Sequence, residues 1–149
     1  MSFLGNLAAA SSAKAIGKYN ASVAYQEAQY ERKKAAVKAQ IYKTVERPRL
    51  LNQQDQQYSN FFVSSLRSGA EMRAGDTPFK VALKNKQLQS FDLAISDYNS
   101  KVAVQDQINQ SLLIEARGRG EEFKGKMTAN TEYMKAAGSL LTMGSANYN

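Results

Sequence analysis

The stretch LQSFDLAISDYNSKV, residues 88–102, decides the fold. Leu88, Phe91, Ile95, Tyr98 and Val102 follow one another at intervals of three, four, three and four residues. This spacing puts all five side chains on one stripe of a helix, the seam through which one helix packs on another. Beyond Val102 the seam meets Gln105 and resumes at Ile108 and Leu112 with shifted spacing, a stutter that locally unwinds a supercoil.

Upstream of this helix lies SGAEMRAGDTP, residues 68–78, with Gly69, Gly75 and Pro78 as its turn residues. Asp76 or Thr77 is placed to cap the following helix, and Pro78 falls in its first turn, where the missing N–H costs nothing. The second arm is expected over 79–137, with a hinge at Gly118 and Gly120, followed by a small-residue tail, 138–149. The first arm is expected over 13–67, after a small, apolar segment, 1–12. In it Ile16, Tyr19, Val23, Tyr30 and Val37 fall near one stripe, interrupted by Gln26 and Lys33, and Leu51, Tyr58, Phe62 and Leu66 continue an apolar face. Pro48 removes a backbone donor and crowds the preceding turn, which predicts a kink or a complete break at Glu46–Arg47. The expected fold is all-α: a long helical hairpin with a kinked first arm, coiled-coil-like packing and small-residue termini.

Composition agrees and also narrows the chemistry. The 149 residues include no His, Cys or Trp. The usual zinc sites, thiol nucleophiles and imidazole bases are therefore excluded, and with them the Ser-His-Asp and Cys-His triads. Glu121 and Glu122 are adjacent, so on a helix they point in different directions and form no shared site. Gly69 and Gly75 lack the Lys-Ser/Thr pair of a phosphate-binding loop. No catalytic residue, metal site, cofactor or small-molecule substrate is expected, and the chain does not read as an enzyme. The 21 Ala and 12 Gln favour helix but offer little bulk for a core. A hairpin of this kind would be marginal alone, so a homo-oligomer is expected.

Charge is uneven. The stretch from Arg32 to Arg49 holds Arg32, Lys33, Lys34, Lys38, Lys43, Arg47 and Arg49 against the single acid Glu46. Such an arm suits non-specific contact with DNA, anionic lipid headgroups or an acidic partner. No nucleic-acid-reading motif accompanies it. At the ends, Phe3, Leu4 and Leu7, and Leu140, Leu141 and Met143, form short apolar clusters suited to contact with another subunit or a membrane. Neither approaches the roughly 20 apolar residues of a spanning helix. The N-terminus also lacks the basic region that opens a signal peptide.

A family resemblance follows from the layout. A small-residue start precedes KYNASVAYQEAQYERKKAAVKAQ, then VSSLRSGAEMRAGDTPFKVALKNKQLQ, then FDLAISDYNSKVAVQDQINQ and a small-residue tail. This resembles the smallest of the three internal virion, or ejection, proteins of short-tailed bacteriophages. The resemblance covers roughly residues 14–135, and the turn from Gly69 to Pro78 is its most telling part. It implies a core protein stored in the virion near the portal–tail axis. At infection it would be ejected with two larger ejection proteins to help form a conduit for viral genome delivery across the host envelope, at the outer-membrane end. The competing reading is a helical tail or portal adaptor, or valve component, that stays in the virion and enters no membrane.

Overall fold

The computed structural model describes residues 3–69, 73 and 75–146, with side-chain surroundings given as far as Thr142. The described chain is all-α. Helix α1 spans Phe3–Ile41, a π-turn spans Tyr42–Glu46, α2 spans Arg47–Arg67 and α3 spans Thr77–Ala146. They form two compact units, residues 1–33 with 108–149, and residues 34–107.

Several boundaries differ from those expected. Helix α1 starts at Phe3, so the described part of the small, apolar segment is helical, because its alanines are strong helix formers. Helix α3 runs without interruption through Gly118 and Gly120 to Ala146, so the glycines do not break it and the described part of the tail is helix. There is no break at Pro48. The backbone widens into a π-turn just before it, and the Arg47 N–H donates to the Tyr42 carbonyl, five residues back. Widening relieves the contact between the proline ring and the preceding turn. Thr44 adds to the loosening, since its hydroxyl donates to the Gln40 carbonyl at 2.8 Å.

The turn behaves as its residues dictate. Gly69 and Gly75 adopt φ of 77° and 102°, the left-handed region that side-chain-bearing residues avoid. The Asp76 carbonyl accepts the first helical bond of α3, from the Lys80 N–H at 3.0 Å, which places Asp76 at the cap position.

In the first unit α1 and α3 run antiparallel: Gly17 meets Gly125, Ala24 meets Gly118, and Arg32 meets Ser111. The contact is built from small residues. Ala10, Ala21, Ala24 and Ala28 of α1 are buried, as are Ser111, Ala129 and Ala136 of α3. Gly17, Gly118 and Gly125 complete the seam. Among the described residues the largest fully buried side chain is that of Ser111. Small residues allow the backbones to approach until a Cβ on Gly17 would lie 2.8 Å from the Gly125 Cα. Stabilisation here comes from dense backbone-to-backbone dispersion contact more than from transfer of large apolar area. Ion pairs flank the seam, Arg117 to Glu27 at 2.6 Å and Arg32 to Glu115, and at such exposed sites they add little to stability.

In the second unit α2 packs on the first part of α3 through a more polar seam. Gln54 Nε2 donates to the Gln89 carbonyl at 2.8 Å, and Gln89 Nε2 returns a bond to the Gln54 carbonyl at 3.3 Å. Lys86 pairs with Asp55 at 3.3 Å and stands 5.3 Å from the centre of the Tyr58 ring. On α3 the inward positions are Ala82, Gln89, Leu93, Ser96, Ser100 and Ala103, all buried or half-buried.

Gly17→Ala is expected to destabilise the chain by about 1–3 kcal/mol through overpacking, although alanine is the better helix former. Gly120 has open space where a Cβ would stand. Gly120→Ala should accordingly stabilise by about 0.5–1 kcal/mol. Thermal melts followed by circular dichroism give both signs, and a stabilising Gly17→Ala would contradict the close contact.

Candidate functional site

The densest polar constellation in the second unit forms where the π-turn meets α3. The π-turn carries Tyr42, and Arg47 opens α2 directly after it. Both side chains converge on Asp97. The Tyr42 hydroxyl donates to Asp97 Oδ1 at 2.7 Å and lies 3.1 Å from Ser96 Oγ. Arg47 Nε donates to both carboxylate oxygens, at 3.1 and 3.4 Å. The Tyr42 hydrogen bond, helped by the Arg47 guanidinium, holds the Asp97 carboxyl below its usual range. Partial burial and the neighbouring carboxylate push the Tyr42 phenol up. Each partner thereby favours the protonation state that the other needs.

Grooves flank this cluster on two sides. One, of 590 Å³, has apolar walls from Ala39, Tyr42 and Val104 and carries Lys43, Arg47 and Lys101 against Asp97. The other, of 520 Å³, is bordered by Lys34, Lys38 and Glu46. Their chemistry suits an anion or an acidic side chain. They hold no nucleophile paired with a base, and Asp97 is already committed to two donors.

The seven basic residues of the sequence pattern do not act alike. In the first unit Arg32 is tied to α3, donating from Nε to Ser111 Oγ at 3.3 Å and from its terminal nitrogen to Glu115. Glu115 also accepts from Arg119 at 2.8 Å, and Arg119 and Arg32 together lower its carboxyl. In the second unit Arg47 is committed to Asp97. Lys38, Lys43 and Arg49 remain exposed. Arg32 and Arg47 are therefore structural ties, and charge counting along the sequence could not separate them from the exposed Lys38, Lys43 and Arg49.

The apolar stripe is also placed differently from its simplest reading. Leu88, Phe91, Ile95, Tyr98 and Val102 are all exposed, from 40% for Val102 to 67% for Tyr98. The intrachain seam of α3 runs instead through Ala82, Gln89, Ser96 and Ala103. These repeat every seven residues as the stripe does, but they lie on another face. Small and polar side chains won the contact because they let the helices approach closely. The pattern was legible as a seven-residue repeat, yet hydropathy gave it no weight.

Other large apolar side chains face outward too. Leu113, Phe123 and Met134 in the first unit are 72%, 65% and 76% exposed. At the ends Phe3 is half-buried, while Leu4, Leu7, Leu140 and Leu141 are exposed, and the Met143 side chain lies outside the described residues. Among the described residues no helix is long and apolar enough to cross a membrane.

The Asp97 cluster makes a pH prediction. A carboxyl lowered in the folded state contributes stability that is complete above its unfolded value and is lost as pH falls through the folded one. The melting temperature of the native chain should fall more steeply than that of Asp97→Asn between about pH 5 and pH 3. Parallel curves for the two proteins would show that the Tyr42–Arg47 clasp contributes nothing. No protein-family model, curated protein or solved structure matches this chain.

Proposed function

We propose that the chain is a non-enzymatic internal virion protein of a bacteriophage. In this reading it self-associates near the portal–tail axis or core and is released at infection to help form a conduit for DNA across the host envelope. The observation that carries the structural half of the proposal is the inversion of side-chain size. Small residues hold the helices together, while large apolar ones stand on the outside. Exposed apolar area on this scale is uncharacteristic of a chain that works alone and fits one that packs against copies of itself and other virion proteins. The phage half rests on the sequence resemblance.

Slender units without disulfides or a bulky core suit a protein that must pass through a narrow tail. The exposed lysines between Lys38 and Arg49 suit non-specific contact with packaged DNA or with acidic neighbours. Any membrane step would fall to several copies presenting their apolar faces together at the host outer membrane.

Mass spectrometry of purified phage particles before and after triggered DNA release tests the proposal. The chain is expected in full particles and should be depleted from emptied ones. Retention in emptied particles would favour the fixed tail or portal adaptor. Absence from full particles would overturn the virion reading.

A further inference from the structure

We infer that α3 is the surface on which two copies of this chain pair, antiparallel, about a two-fold axis passing between Ile95 and Tyr98. The inference deepens the self-associating reading above and rests on it. At about 100° per residue, the stripe from Leu88 to Val102 lies about 120° around α3 from the seam through Gln89, Ser96 and Ala103. It is thus a separate face of the helix, and α2 leaves it exposed.

The content of that face selects its occupant. Lys84 closes one end of the stripe and Asp106 the other, on the same side of the helix. Both are exposed, and neither has an ion-pair partner within the chain among the described residues. Reversing a second copy against the first stacks Ile95 on Tyr98, Phe91 on Val102 and Leu88 on Gln105. It also brings Lys84 of each copy within one helical turn of the second copy's Asp106. A two-fold axis repeats every contact, so each apolar layer and the Lys84–Asp106 ion pair form twice. A parallel, in-register pair would instead set Lys84 against Lys84 within the seam. The stripe is therefore complementary in charge to its own reverse, and the matching partner is a second copy.

The chain has no cysteine, so a single introduced thiol reports cleanly. Sedimentation equilibrium of the full chain should show Lys84→Glu and Asp106→Lys each weakening self-association about 10-fold. The double variant should recover to within about 3-fold, because the reversed charges still pair. A nitroxide on Asn85→Cys should give an inter-copy distance of about 35–45 Å by pulsed electron resonance, set by the rise per residue on either side of the axis and the width of the helix pair. A distance of about 25 Å or less would overturn the antiparallel arrangement. Self-association that survives Ile95→Glu and ignores both charge reversals would overturn the α3 interface while leaving an assembling protein. A chain that stays monomeric at every concentration would overturn the assembly reading itself.

Discussion

The approach of α1 to α3 at Gly17 and Gly125 is the constraint on which the first unit depends. With the Gly125 Cα only 2.8 Å from where a Gly17 Cβ would stand, no side chain fits between the backbones. The buried positions nearby are accordingly glycine, alanine or serine, and most large apolar residues of the unit stand outside the contact. Leu113, Phe123 and Met134 are outside because there is no inside for them. Exposure of large apolar groups is thus a consequence of how the helices meet, and partners are the natural way to cover it.

The second unit solves a different problem. Pro48 would cost a helix interior about 3 kcal/mol or more through its ring and its missing donor. The chain accommodates it by widening the preceding turn, and the same distortion carries Tyr42 and Arg47 onto Asp97. A π-turn inside a helix is uncommon and often coincides with a working site. Here it yields a charge-assisted clasp, with grooves to either side whose cations exceed their acids. The exposed lysines nearby are available to an anionic surface, whereas Arg32 and Arg47 are spent on the fold.

Much of the secondary structure was legible from composition and punctuation. Gly69, Gly75 and Pro78 announced the turn, and the alanine- and glutamine-rich arms announced helix. The packing was less legible because hydropathy ranks Leu88 and Phe91 above Ala82 and Ser96, while close approach ranks them the other way. Gly118 read as a weak point in a helix, yet with Ser111 and Gly125 it forms a seven-residue repeat of contact positions. Pro48 read as a break because its local cost is visible in sequence, whereas the partner on α3 that steadies the π-turn lies about 50 residues away. The basic stretch was visible as charge. Only the acids opposite, Glu115 and Asp97, distinguish ties from surface.

The central claim is that large apolar side chains stand outside the chain's own contacts and become covered when copies assemble. Hydroxyl-radical footprinting at rising protein concentration, read residue by residue by mass spectrometry, tests it most directly. The account predicts strong labelling of Phe91, Ile95 and Phe123 in dilute solution and growing protection of one or more of them as copies associate. Protection of all three at the highest dilution, in a chain shown to be monomeric, would mean that they form the core of the single chain, and would contradict the account.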